Sequence, residues 1–189
     1  KKHEIIPVTY QEQARENGTT PFALLASALA WTLFALRGAS RVGFGTIMRR
    51  SIGSELGLHG ELIALPFAFP EAAEFQGALG VLCRQATDAL GACAPAASAE
   101  VVFVEEASPA PLSIGAAHLR FVDTPPLEPQ FAARFFARAE GDEGVVLGLD
   151  VDTGRFSRGE AESALARWAQ VIESIGQRAF PSMMLPGEE

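Results

Sequence analysis

The chain comprises 189 residues, of which 48% are hydrophobic and 20% are charged, and its formal net charge is −8 at pH 7. This composition is typical of a globular chain rather than a disordered one, and the acidity argues against nucleic acid or an anionic membrane as the main partner, because both attract basic surfaces. No apolar run approaches the roughly 20 residues that a membrane-spanning helix needs.

The first strong helix signal follows residue 18. The segment Lys1–Pro7 has charged residues but no signal-peptide core; because it also lacks an initiator methionine, we expect the chain to begin inside a longer protein. Thr19-Thr20-Pro21 is typical of a helix start, and Arg37-Gly38 supplies the stop. Between them, apolar residues recur at spacings of three and four, which predicts one buried stripe: Phe22, Leu25, Ala26, Leu29, Leu33 and Leu36.

Two extended segments come next. Val42–Met48 predicts a strand that is weakened by two glycines, which often mark a close backbone approach or a bulge. A loop with two arginines then leads to a second extended run, Leu62–Phe69. Because this run contains Pro66, which cannot donate a backbone hydrogen bond, it indicates an edge strand, a bulge or a bend.

A second helix is predicted to open near Glu71 and Glu74, since acidic side chains suit the positive end of the helix dipole. Its buried face comprises Phe75, Leu79, Leu82, Ala86 and Leu90. Cys83 lies inside this pattern, where a cysteine usually acts as a small buried hydrophobe. Together with Cys93 it makes neither a disulfide framework nor a zinc site, so a reduced, cytoplasmic setting is expected. The alanine-rich stretch Gly91–Ser98 is interpreted as a helix end followed by a loop.

The second half of the chain predicts strands and a closing helix. The strand-like runs are Val101–Glu105, His118–Asp123, Phe131–Arg138 and Val145–Val151, and Gly141–Gly144 suits a hairpin between the last two. Ser157, with Glu160 three residues later, forms a capping box before a helix whose buried stripe is Ala161, Leu165, Trp168, Ile172 and Ile175. This order, with its late antiparallel hairpin, predicts an α/β two-layer sandwich with a mixed β-sheet and flanking helices.

Several segments match, in order, the motifs of a known family. Thr19–Ala30 is similar to G-V-T-x-F-x-x-L-L-A-A, Leu36–Thr46 to L-x-x-x-T-G-x-x-D-V-V-V-G-T-P, Leu62–Phe67 to N-T-L-P-L, and Leu147–Ser157 to L-x-L-x-Y-x-T-D-L-F-D. Over about its whole length the chain thus resembles the C-terminal lobe of a nonribosomal peptide synthetase condensation domain. On this resemblance, residues 1–180 form the lobe and residues 181–189 a linker toward a following adenylation domain.

The resemblance implies a chloramphenicol acetyltransferase-like half-domain, one of two similar lobes that form a V around a tunnel. In this family the N-terminal lobe carries H-H-x-x-x-D-G, whose second histidine helps an acceptor amine attack a donor thioester. Both substrates arrive on the phosphopantetheine arms of carrier proteins. The implied partners are therefore a missing N-terminal lobe, peptidyl or acyl carrier proteins and an adjacent adenylation domain, with no directly bound cofactor or metal and no nucleic acid or membrane.

The chain departs from the family pattern at three places. None of its three histidines belongs to H-H-x-x-x-D-G, so no catalytic residue is assigned and the chain alone is expected to be inactive. Ile63 or Ala64, depending on the alignment, replaces the asparagine before T-L-P-L. Ala92–Ala96 stands where H-Q-x-x-P-F-E is expected. Because truncation accounts only for the missing histidines, the other departures indicate a divergent or inactive member.

The candidate tunnel-lining or pantetheine-binding residues are Gly45, Thr46, Arg49, Arg50 and His59. By the resemblance, the small residues would let a thin pantetheine arm pass, and arginine suits the geometry of its phosphate. The alternative for the arginines is a solvated turn after a strand. A lone histidine such as His59 is more often an ordinary loop residue than a catalytic one.

Other polar residues have simpler explanations than catalysis. Asp150 and Asp152 alternate along a strand and would face one side, but without a third ligand nearby we expect hydrated acids at a strand end rather than a metal or acid–base site. Ser157 is better explained as a helix cap than as a nucleophile, because no G-x-S-x-G elbow surrounds it. Trp31 and Trp168 lie on apolar stripes and are expected in the core.

Three hypotheses follow. The primary one is a lobe that shapes the substrate tunnel and carrier docking while an amide or ester bond forms in nonribosomal peptide or hybrid polyketide (antibiotic) biosynthesis. The second is a non-catalytic docking module that recruits a carrier protein or a tailoring enzyme. The third is a stand-alone acyltransferase of the same superfamily. A half-domain should also expose an apolar face where its partner lobe belongs.

Overall fold

The computed structural model describes residues 2–7, 10–50, 59–69, 75–106, 112–114, 117–119, 130–140 and 144–177. Within these ranges the elements follow one another as β1 (Lys2–Pro7), α1 (Tyr10–Glu16), α2 (Pro21–Arg37), β2 (Arg41–Arg50), β3 (His59–Ala68), α3 (Phe75–Ala92), β4 (Val101–Glu106), β5 (Leu112–Ile114), β6 (Ala117–Leu119), β7 (Ala133–Glu140), β8 (Gly144–Val151) and α4 (Arg158–Gln177).

Six of the strands form one mixed sheet. Their spatial order is β1-β8-β7-β4-β2-β3, while β5 and β6 pair with each other in a separate ribbon. β4 runs parallel to both β2 and β7, and the remaining neighbours in the sheet are antiparallel. The antiparallel pairing of β7 with β8 confirms the predicted hairpin partners, although its turn residues 141–143 lie outside the described residues. The mixed sheet with helices confirms the predicted fold class.

The helices pack on one face of this sheet, and α2 lies between α3 and α4. As the sequence predicts, the Thr20 side chain accepts a hydrogen bond from the Ala23 N–H (3.1 Å), and Gly38 ends the helix with a left-handed φ of 64°. Trp168 of α4 is fully buried, and its indole N–H donates to the carbonyl of Leu25 (3.3 Å). The helical layer and the sheet therefore share one core.

Three described elements are not predicted by the sequence patterns: β1, α1 and β5. β1 pairs with β8, which lies more than 130 residues away in sequence. Because no turn connects the two strands directly, the residues next to β1 give no signal of this pairing. α1 has seven residues and buries only Tyr10 and Ala14, which is too little for a clear helical stripe. In contrast, the predicted start of α3 at Glu71 and Glu74, and most of the predicted run His118–Asp123, lie outside the described residues.

β3 is an edge strand of the described sheet, which is one of the three alternatives that Pro66 indicated. The outward N–H of Ala64 donates to the carbonyl of Ala94 (3.1 Å), and the carbonyl of Leu62 accepts from Ala96 (2.8 Å). At Ala68, the Gln85 side chain of α3 bonds both the backbone N–H (2.9 Å) and the carbonyl (3.1 Å). Pro66 falls in the same outward register and has no N–H to satisfy. These contacts protect an edge that would otherwise pair with another strand.

Replacing Gln85 with alanine is expected to lower the free energy of unfolding by about 1 kcal/mol, because two hydrogen bonds to the edge backbone are lost. The measurement is urea unfolding followed by circular dichroism. Gln76→Ala is the matched control, since Gln76 is an exposed residue of the same helix and its loss should change stability by less than about 0.5 kcal/mol. Equal effects of the two substitutions would contradict a stabilising role for the two hydrogen bonds between the Gln85 side chain and the Ala68 backbone.

Leu36 and Ile47 are the exposed large apolar residues among the described ones, with 44% and 38% of their surface accessible. They lie at different ends of the molecule, Leu36 near the end of α2 and Ile47 near the end of β2. The predicted apolar face for a partner lobe therefore stays a prediction. None of the described helices is by itself long and apolar enough to cross a bilayer; α1 and α2 pass that test only as a pair bent by 101°.

Candidate functional site

The predicted site residues fall on the antiparallel pair β2 and β3. In the register of this pair, Arg50 lies opposite His59, Arg49 opposite Gly60, and Thr46 opposite Ile63. The side chains of Arg49, Arg50 and His59 lie outside the described part of the structure. The backbone nevertheless brings the three residues to one end of the pair, which the sequence alone did not establish because the loop between them separates them.

Gly45 has a packing reason to be a glycine. It lies opposite Ala64 on β3 and beside Val102 on β4. A Cβ atom at this position would come 2.7 Å from Leu62 Cδ1 and 2.9 Å from Ala99 Cβ, closer than carbon atoms pack. The close approach that a strand glycine often marks is therefore observed at Gly45. The groups that approach it are the side chains of Leu62 and Ala99. The passage of a pantetheine arm at Gly45 stays a prediction.

Thr46 and Ile63 face each other on the helical side of the sheet. Both are buried, with 2% and 1% of their surface exposed, and Thr46 lies beside Phe103 of β4. Ile63 is one of the two residues that align with the family asparagine, and Ala64 is the other. Whichever alignment holds, this part of the site has no amide side chain to bind a substrate.

The segment after α3 packs as backbone against β3. Pro95 bridges to Ile63, and residues Ala94 and Ala96 make the hydrogen bonds to β3 described above. Residues 92–96 are three alanines, Pro95 and Cys93, whose thiol donates to the Leu90 carbonyl (2.9 Å). None of them supplies the imidazole or the amide of H-Q-x-x-P-F-E. The predicted helix end and loop at Gly91–Ser98 are confirmed.

Asp150 is not the hydrated strand-end acid that we expected, and that interpretation is wrong. Arg134 of β7 donates from Nε and Nη2 to Asp150 Oδ2 (3.1 and 2.7 Å) and from Nη1 to Glu106 Oε1 (3.2 Å). All three side chains are half-buried, so this network links β4, β7 and β8. Asp152 lies beyond β8 and accepts from the Gly154 N–H (2.9 Å). Among the described residues no three potential metal ligands cluster.

Glu105 is a polar residue near the site that the sequence interpretation missed. It follows Phe103 by two positions on β4 and so lies on the same face as Thr46. Although its side chain remains accessible, partial burial raises the pKa of Glu105 above its ordinary value. Val101 and Phe103 are apolar and face inward, and Glu105 is the next residue on the same face of the strand. An acidic residue at such a position was the sequence signal that could have identified it.

The structural interpretations of other residues are confirmed. The Ser157 N–H and Oγ donate to Glu160 Oε2 (2.8 and 2.7 Å), which lowers the pKa of Glu160, and the Glu160 N–H donates to Ser157 Oγ (3.2 Å). This is the predicted capping box. Cys83 is buried, and burial raises the pKa of its thiol, as expected for an unreactive core cysteine. Trp31 and Trp168 are core residues.

The fold built from these elements is that of the condensation domains of peptide and polyketide synthetases. The chain is similar to the condensation domain of the monacolin K polyketide synthase MokA, with a TM-score of 0.77 and 15% identity over 96% of this chain and 48% of that one. For the condensation domain that mediates chain release from the enacyloxin polyketide synthase, the TM-score is 0.65 and the identity 15%, over 99% and 42%. For the first condensation domain of the CDA synthetase the values are 0.72 and 11%, over 96% and 45%.

The chain therefore spans less than half the length of each of these three structures. No model of a protein family and no curated protein sequence matches it. Because the identities are low, the likeness concerns the fold. It confirms the predicted chloramphenicol acetyltransferase-like half-domain.

Proposed function

We propose that this chain acts as the C-terminal lobe of a condensation domain and forms one wall of the tunnel in which an amide or ester bond is made. One observation carries the proposal: 96% of the chain matches 48% of a condensation domain at a TM-score of 0.77. Such a domain needs a second lobe of similar size to supply its catalytic histidine. The chain on its own is then a tunnel wall and docking surface, without transferase activity.

The register of β2 and β3 supports a role in receiving the phosphopantetheine arm of a carrier protein. It groups Arg49, Arg50 and His59 at one end of the two strands, beyond the buried pair Thr46 and Ile63. An arginine at this strand end suits a phosphodiester, because arginine forms paired, charge-assisted hydrogen bonds with phosphate oxygens. Carrier proteins and an adjacent adenylation domain are the partners that this role implies.

The test measures binding of a peptidyl carrier protein to the chain, with and without its phosphopantetheine arm. We expect the arm to strengthen binding, and Arg49→Ala combined with Arg50→Ala to remove that gain, about tenfold or more for charge-assisted bonds of roughly 1.5–3 kcal/mol. Arg41→Ala, at the other end of the same strand, is the control and should leave the gain intact. Condensation of carrier-bound substrates by the isolated chain would overturn the proposal.

A second candidate function is a docking module that recruits a carrier protein or tailoring enzyme without taking part in bond formation. The buried Ile63 side chain and the alanine-rich backbone of Ala94–Ala96 favour it, because neither place offers a polar group to a substrate. The two proposed functions are distinguished by adding a condensation-domain N-terminal lobe with an intact H-H-x-x-x-D-G motif and measuring product formation and carrier binding. Product formation supports the tunnel wall; retained carrier binding without product supports the docking module.

A further inference from the structure

We draw no further inference here: the strongest candidate, the apolar pocket between α2, α4 and the strands β4, β7 and β8, is lined by both Arg37 and Glu160, so nothing in the structure shows which class of molecule would occupy it.

Discussion

Replacing Gly148 with alanine is expected to lower the free energy of unfolding by about 3 kcal/mol, at the upper end of typical overpacking effects. Gly148 of β8 lies directly opposite Phe136 of β7, and a Cβ atom at Gly148 would overlap the Phe136 ring. The ring cannot turn aside cheaply, because Phe136 is fully buried and lies beneath the Arg134 guanidinium, 5.2 Å from the ring centroid. The glycine is therefore required by packing against a neighbouring side chain.

The measurement is urea unfolding of the wild type and variants, with Gly43→Ala as the matched control. Gly43 is also a strand glycine, but a Cβ atom there would meet nothing closer than the Leu65 carbonyl oxygen at 3.8 Å. That substitution should change stability by less than about 0.5 kcal/mol. Phe136→Leu combined with Gly148→Ala should cost less than the sum of the single changes, because the smaller side chain relieves the overlap. Simple additivity would argue against this contact.

The elements that the sequence predicts best are those whose signals are local. The start and end of α2 follow from Thr20, Pro21 and Gly38, and the start of α4 from the reciprocal bonds of Ser157 and Glu160. Each signal lies within a few residues of the backbone groups it satisfies, so no knowledge of the tertiary structure is needed. Pro66 was compatible with an edge strand, a bulge or a bend, and the contacts on the outer side of β3 show that it lies in an edge strand.

The features that the sequence does not predict depend on which distant strands become neighbours. β1 is a strand because its backbone pairs with β8. Asp150 forms an ion pair because Arg134 lies beside it on the neighbouring strand β7. The same limit applies to the candidate site. Residues 49, 50 and 59 were candidates without a sequence signal that they lie close together, and their proximity follows from the β2–β3 register. Gly45 acquires its packing role only when Leu62 and Ala99 are placed around it.

Replacing Trp168 with alanine is expected to have the largest effect on stability, a loss of about 3–5 kcal/mol. The Trp168 side chain is fully buried and contacts two phenylalanine rings edge-on. Its ring centroid lies 5.7 Å from that of Phe103 and 5.5 Å from that of Phe135. It also donates the hydrogen bond that joins α4 to the Leu25 carbonyl of α2. One substitution thus removes contacts between the helical layer and two strands of the sheet, and between two helices.

Trp168→Phe separates these contributions, because it keeps a ring against the sheet but removes the indole N–H. We expect an intermediate loss of roughly 1–3 kcal/mol, from one hydrogen bond and the smaller ring. Unfolding should be followed by circular dichroism, since removing a tryptophan alters the fluorescence. With a total stability of about 5–15 kcal/mol typical of natural domains, the alanine variant should be largely unfolded well before the wild-type urea midpoint. A loss below about 1 kcal/mol for Trp168→Ala would mean that α4 is held to the sheet by other residues.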